Sequence, residues 1–321
     1  MQNLDLNVRV AARHAEADGI VTFELASPDG RPLPAFTAGS HVDVQVPGGL
    51  VRQYSLANDP LETHRYVIGV LREPQSRGGS AAMHDTVAVG DLLRISPPKN
   101  HFALDQGARR TLLFAGGIGV TPLIAMAETL QHLGAEFEMH YCCRSPARTA
   151  FAARIGGSAF APRVQFHFDD GPAGQRLDLH GALGPVRDDT HVYVCGPGGF
   201  MDFVLGGARD AGWAPAQLHS EYFAAPAQDT SGDTAFAVRL ASTGRVVDIP
   251  ADVTVVRALA DAGVPVPTSC EQGVCGTCLT RILEGRPDHR DAYLTDEERA
   301  RNDQFLPCCS RAKTPLLVLD L

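Results

Sequence analysis

Three cysteines fall within nine residues in the stretch CEQGVCGTC, residues 270–278, and no other feature constrains this chain as strongly. The spacing is Cys270-x4-Cys275-x2-Cys278, and the next cysteine, Cys308, follows after 29 further residues. This is the plant-type [2Fe–2S] spacing. Thiolates are soft ligands suited to iron, and a short loop must wrap the cluster so that three of them point inward. Gly273 and Gly276 permit positive φ and let backbone N–H groups approach the sulfides. A zinc site is the rival, but zinc pairs usually read C-x2–4-C twice, and the only other close pair in this last part of the chain is the adjacent Cys308 and Cys309. Neighbouring side chains on a strand point to opposite faces, so only one of the two can ligate. The spacing selects Cys308, and Cys309 is expected to be a buried free thiol. The expected ligands are therefore Cys270, Cys275, Cys278 and Cys308.

A cluster loop needs a fold around it, and 321 residues are enough for two or three domains. The formal net charge of −9 argues against nucleic acid or an anionic membrane as the main partner. No apolar run approaches the roughly 18 residues of a membrane span. The opening MQNLDLNVRV lacks the basic flank and long apolar core of a secretory signal. The expected location is the cytoplasm, where cysteines are reduced thiols or metal ligands.

The first hundred residues read as short strands cut by Gly, Pro and Asn/Asp turns, which suggests a small antiparallel β-barrel. The pattern changes near residue 108. RRTLLFAGGIGVTPLIAMAETLQHLG and THVYVCGPGGFMDFVLGGARDAGW each run strand, glycine turn, helix. Strands alternating with helices imply a parallel sheet. Small and polar residues then form a linker, and FAVRLASTGRVVDIP opens as a hairpin turning near Thr243-Gly244. The expected architecture is a β-barrel at 1–106, an α/β parallel-sheet domain at 107–225, a linker at 226–234 and an α+β ferredoxin-like (β-grasp) domain at 235–321.

CEQGVCGTC together with DQFLPCCSRAK resembles the C-terminal ferredoxin domain of the phthalate dioxygenase reductase family, and the resemblance extends over nearly the whole chain. It implies the domain order flavin, nicotinamide nucleotide, ferredoxin. Arg52-Gln53-Tyr54-Ser55 resembles the family's R-x-Y-S flavin motif. A guanidinium suits the flavin phosphate, a tyrosine ring packs on the flavin, and a serine hydroxyl can bond near its reactive nitrogen. Arg77-Gly78-Gly79-Ser80 stands where the family has its phosphate loop, with Ser80 expected to cap a helix. By resemblance Gly69, Val70 and Leu71 line the flavin ring, and Phe223 lies against its other side. The resemblance favours FMN, although nothing in the residues excludes FAD.

Gly116-Gly117-Ile118-Gly119-Val120-Thr121-Pro122 lies between an apolar strand and a helix, where glycines and a helix N-terminus can receive a pyrophosphate. It resembles the family's GGIGxTP turn, and Thr121 is expected at both cofactors. Cys195-Gly196-Pro197-Gly198 resembles the second nucleotide motif, whose cysteine lies beside the nicotinamide in the family. Arg144 and Ser145 end the second strand of the parallel sheet, where an acidic residue would select NAD. Their chemistry suits the 2′-phosphate of NADPH, whereas the resemblance favours NADH. Cys142 and Cys143 are expected to pack in that strand.

The resemblance implies a reductase passing electrons from NADH through FMN and a [2Fe–2S] cluster to a Rieske-type oxygenase acting on an aromatic acid. Ser55 and Cys195 would orient the reacting rings. The chain itself would need no second subunit. The charged residues from Asp288 to Asp303 offer a docking face or a solvated helix and loop. The alternatives are the same electron chain serving a carnitine-type oxygenase, or a redox-sensing or electron-carrier protein.

Overall fold

The computed structural model describes residues 4–73, 78–223 and 230–321. The chain divides into two compact units, Leu4–Phe223 and the part beyond residue 223.

The first unit opens with β1 (Leu6–Ala17), β2 (Ile20–Ala26), β3 (Ser40–Gln45), β4 (Val51–Ser55), β5 (Tyr66–Leu71), α1 (Gly79–Thr86), β6 (Leu92–Ile95) and β7 (Lys99–Asn100). These strands form one antiparallel sheet in the order β4-β3-β6-β1-β2-β5, with β7 on β3. Its two ends meet through a bridge between Leu56 and Ile68 and a 2.8 Å bond from the Ala57 N–H to the Val67 carbonyl. That closure makes the expected barrel and removes the free edges. Apolar side chains such as Val8, Phe23, Val42, Ile68 and Ile95 fill the interior.

The unit continues with β8 (Arg110–Gly116), α2 (Val120–Leu133), β9 (Glu136–Cys143), α3 (Ala152–Gly156), β10 (Val164–Phe168), α4 (Leu179–Leu183), β11 (Thr190–Cys195), α5 (Gly198–Asp210) and β12 (Leu218–Glu221). The five strands are parallel in the order β10-β9-β8-β11-β12. The β8 run Thr111–Ala115 is buried throughout, as a central strand covered on both faces must be. Helix α2 stops where Gly134 takes φ 64°, a left-handed conformation that glycine adopts without strain. Barrel and sheet are bonded together. The Asp105 N–H donates to the Tyr193 hydroxyl at 2.7 Å, the Phe151 N–H donates to Glu16 at 2.8 Å, and His132 meets Asp59 at 2.7 Å.

The second unit holds β13 (Phe236–Leu240), β14 (Val246–Ile249), α6 (Val255–Asp261), β15 (Thr280–Glu284), β16 (Pro287–Asp288), α7 (Asp296–Arg301), β17 (Gln304–Phe305), β18 (Arg311–Ala312) and β19 (Leu316–Leu319). The mixed sheet runs β14-β13-β19-β15-β17, and β16 pairs with β18. Val255 and Leu259 of α6 pack on its apolar face. The expected turn is present, with Gly244 at φ 71°. The expected linker ran to residue 234, but Asp233 is held inside this unit. Its carboxylate takes a fork from Arg290 at 2.5 and 3.0 Å, and the Arg311 guanidinium lies 3.5 Å away.

The turn after β8 shows how tightly the first unit is packed. A Cβ on Gly119 would stand 2.2 Å from the Cys195 carbonyl oxygen, whereas Gly117, at φ 53°, faces open space. Gly119→Ala is expected to destabilise the unit by about 3 kcal/mol through backbone overpacking, and Gly117→Ala by about 1 kcal/mol through φ strain alone. The single tryptophan, Trp213, is buried in this unit. Its fluorescence in a urea titration of both variants checks the ranking.

Candidate functional site

In open parallel sheets, ligands bind outside the carboxyl ends of the strands. Here those ends carry the glycine turn after β8, Arg144 and Ser145 after β9, Cys195 at the end of β11 and Glu221 at the end of β12. In register, Ala115 lies beside Cys195, and Cys195 beside Glu221. From the barrel, Ser55 at the end of β4 donates its hydroxyl to Glu221 at 3.1 Å. The two residues expected to orient the reacting rings therefore converge on Glu221. Sequence reasoning read Ser-Glu-Tyr-Phe only for its Phe223. An acidic residue at a strand end, two positions before Phe223, was the available signal. Burial raises the Glu221 carboxyl to about 7, against the opposing bond from Ser55. Burial, and then the Glu221 charge, keep the Cys195 thiol well above its ordinary range, so it is a neutral thiol.

The glycines at this edge serve packing as much as ligand access. A Cβ on Gly116 would meet Phe200 at 2.7 Å and Pro197 at 3.0 Å, and one on Gly196 would meet the Gly116 Cα at 2.9 Å. Gly117 and Gly198 have open space, so they best fit a pyrophosphate. Gly198 opens α5, and Pro122 is buried in the first turn of α2. Thr121 donates its hydroxyl to the Ile118 carbonyl at 3.0 Å and sets its methyl against Gly69, where a Cβ would lie 3.0 Å away. Its role at the seam is a close contact, while its hydroxyl is used within its own turn. Arg144 is exposed and Ser145 half-buried. Cys142 and Cys143 lie in β9, as expected, with burial raising both thiols, Cys142 to about 12.

On the barrel side, Arg52 runs across Gly79 at the start of α1, where a Cβ would stand 2.8 Å from its Nε. Two of the phosphate-binding candidates, Arg52 and Gly79, are thus brought together, and a side chain at Gly79 would displace the arginine. Arg77 lies outside the described residues. Ser80 is not the cap expected of it. Helix α1 starts at Gly79, the cap position is Gly78 at φ 94°, and the Ser80 hydroxyl accepts the Glu73 N–H at 3.1 Å. A left-handed glycine can enter the helix where serine cannot follow. Tyr54 is half-buried, on the same face of β4 as Arg52. Gln53 points the other way, donating to Asp43 at 3.0 Å beside His41. Along β5, Gly69 faces the seam, Val70 is buried in the barrel and Leu71 is half-buried. Phe223 is exposed.

In the second unit the four expected ligands fall into two pairs. Cys270 hydrogen-bonds to Cys275, and Cys308 to Cys278 and to its chain neighbour Cys309. Among the described residues the only three Cys, His, Asp or Glu ligand atoms within 4.8 Å of one another are those of Asp59, Glu128 and His132, so no three thiols gather. Tetrahedral zinc with bonds of about 2.3 Å would hold all four sulfurs about 3.8 Å apart. Two separate pairs fit two irons. The bond from Cys270 lowers Cys275 to about 5 while raising its own thiol. The Gln272 N–H donates to the Cys270 sulfur at 3.3 Å, one of the contacts by which a loop tunes a cluster.

Two expectations here need correction. Cys308 and Cys309 are not on a strand but in a tight turn, with the N–H groups of Cys309 and Ser310 both bonded to the Leu306 carbonyl. Cys308 is buried, while Cys309 is half-buried and sets its sulfur against Gly273. The Asp288–Asp291 segment is not a docking face or a solvated loop. Arg290 is turned onto Asp233 and Asp288, and the Asp291 side chain is fully buried.

Comparison with known proteins agrees with this geometry. Residues 238–313 match the 2Fe-2S iron-sulfur cluster binding domain. The chain is 56% identical over 313 residues to the vanillate O-demethylase oxidoreductase of Pseudomonas putida, covering 97% of this chain and 98% of that one. It is 40% identical to the solved phthalate dioxygenase reductase, described as a modular structure for electron transfer from pyridine nucleotides to [2Fe-2S]. The TM-score is 0.76, with 98% of each chain covered. The chain belongs to the phthalate dioxygenase reductase family. Members of this family are oxidoreductases with a flavin, a pyridine nucleotide and a [2Fe–2S] cluster. A self-sufficient cytochrome P450 monooxygenase also contains the arrangement, at 39% identity and TM-score 0.86, but this chain spans only 41% of its length. No helix among the described residues is long and apolar enough to cross a membrane.

Two outcomes follow. Cys308→Ser is expected to lose the cluster and Cys309→Ser to keep two irons, as read by iron and sulfide analysis. Because Glu221 holds its proton more tightly folded than unfolded, its contribution to stability is complete below about pH 4.5 and is lost as pH rises through about 7. Part of the side chain still meets solvent, which limits the effect to about 1–2 kcal/mol. Glu221→Gln should flatten that portion of the Trp213 urea midpoint measured from pH 5 to 8.

Proposed function

We propose that this chain is the NADH-dependent reductase component of a two-component aromatic oxygenase or O-demethylase, delivering electrons to a Rieske-type oxygenase partner. The observation that carries this reading is the 3.1 Å contact between Ser55 of the barrel and Glu221 of the parallel sheet, beside Cys195. It puts the flavin-motif strand against the nucleotide edge within one compact unit, in the same chain as the paired thiols. When bound, a flavin exchanges electrons in pairs with a nicotinamide and singly with an iron–sulfur cluster.

The residues have separate tasks in this reading. Arg52, with Arg77, Gly78, Gly79 and Ser80, holds the flavin phosphate, taken as that of FMN. Tyr54 and the Gly69–Leu71 strand, with Phe223, place its ring, and Gln53 contributes from its backbone while its side chain is held on Asp43. Gly116, Gly117, Gly119, Thr121, Pro122, Gly196, Pro197 and Gly198 form the floor for the nucleotide, and Arg144 and Ser145 meet its adenosine end. Ser55 and Cys195 orient the rings, and Glu221 holds Ser55 while carrying a proton near neutrality. Cys270, Cys275, Cys278 and Cys308 ligate the cluster. The functional segments are taken as 1–106, 107–225 and 235–321, with the connection between the last two ending before Asp233, which is held in the second unit. A cytoplasmic monomer docking transiently on its oxygenase is the form this implies. The relatives' partners support an oxygenase as acceptor, and the vanillate and phthalate names among them favour an aromatic substrate.

Anaerobic titration with NADH, and separately with NADPH, tests the reading by visible absorption. NADH is expected to bleach flavin and iron–sulfur bands together, with NADPH about tenfold slower or more. If neither nucleotide bleaches the bands, the reductase reading fails. Fast bleaching by NADPH would reassign Arg144 and Ser145 to a 2′-phosphate.

A further inference from the structure

Asp291, Ala292, Tyr293 and Leu294 lie against the cysteine loop in a way the cluster assignment does not require. The Asp291 carboxylate, fully buried, accepts the Tyr293 and Leu294 N–H groups at 3.2 and 2.8 Å and so bends the segment back on itself. The Arg299 guanidinium lies 3.7 Å from the same carboxylate. The Ala292 N–H donates to the Gly273 carbonyl at 3.0 Å. A Cβ on Gly273 would meet the Asp291 Cα at 3.1 Å, and one on Gly276 would meet the Tyr293 ring at 2.3 and 2.5 Å and its hydroxyl at 2.7 Å. Both loop glycines thus turn their side-chain direction toward this segment. Tyr293 packs beside Cys278, Leu306 and Cys308 in a small apolar cluster.

We infer that residues 291–294 are a strap that covers the cluster loop, with Tyr293 over Gly276 as the positioning residue that sets solvent access to the cluster. The inference rests on the assignment of the cluster to the four paired cysteines. A [2Fe–2S] centre gains one negative charge on reduction, and water stabilises that charge. Solvent exposure and the shell around the sulfurs are therefore levers on its potential. An aromatic ring pressed on the glycine between Cys275 and Cys278 keeps water from that part of the loop and holds its backbone N–H groups in place. Sequence reading gave Gly276 the task of admitting N–H groups to the sulfides. The structure adds that a side chain there would collide with Tyr293.

The test uses the full chain with cluster and flavin bound. Decay of the iron–sulfur bands in air and the midpoint potential of the cluster under anaerobic titration are compared with the wild type. Tyr293→Ala is expected to lose its bands about tenfold faster and to show a higher potential, with flavin absorption unchanged. Tyr293→Phe keeps the ring and is expected to match the wild type. Tyr293→Leu keeps apolar bulk and should fall between them, and it substitutes for the alanine variant if that does not assemble. Wild-type decay and potential in the alanine variant, or in the leucine variant when it stands in, would overturn the strap, as would a phenylalanine variant that decays like alanine. Iron and sulfide are measured first on the wild type. A protein without two of each would defeat the cluster assignment itself, and the two failures are thereby told apart.

Discussion

At the carboxyl edge of the parallel sheet, the backbone leaving β8 passes so close to the backbone leaving β11 that neither can carry a side chain at the crossing. Gly119 lies under the Cys195 carbonyl and Gly116 against Pro197 and Phe200. Much of the first unit follows from that contact. It fixes where α2 begins, with Thr121 and Ile118 directed at Gly69 of the barrel. It also fixes Cys195 beside Glu221, and so the place where Ser55 of the barrel can bond. Strand β4 of the barrel and the carboxyl edge of the sheet are brought within one hydrogen bond of each other because two turns made of glycine leave no room between them.

The second unit solves its own problem in a similar way. A loop that must present three thiols inward cannot also fold over its own outer side, so other segments cover it. Residues 291–294 and the Cys309 sulfur do so, and each meets a glycine. The buried Asp291 carboxylate is costly to desolvate, and its bonds to two backbone N–H groups and its approach to Arg299 offset that cost.

The chemistry-bearing motifs were legible in the sequence because they are local. Metal-ligand spacing, a glycine turn between an apolar strand and a helix, and Arg-x-Tyr-Ser on a short strand are all set by neighbours within a few residues. Ser80 and Cys309 were misread for a related reason. Each needed a backbone path, a left-handed Gly78 in one case and a tight turn at Leu306 in the other, that side-chain preference does not specify. The charged run at Asp288–Asp291 looked solvated because charge pattern alone cannot distinguish an exposed arginine from one clamped on Asp233, 57 residues away.

The sequence by itself determined the three architectures, their order and the cluster-type spacing of the thiols, since periodicity and ligand spacing are properties of the chain as written. Only the tertiary structure decided which groups act together. Glu221 gains a shifted proton affinity from burial at a strand end and a bond to Ser55, 166 positions away in the chain. Tyr293 comes beside the cysteine loop because Asp291 holds its backbone in a bend that sets its ring on Gly276. The sorting of the thiols into Cys270 with Cys275 and Cys278 with Cys308 likewise depends on how the loop and the Leu306 turn fold against each other. Desolvation and close contact depend on distance in space, and no pattern along the sequence encodes that distance.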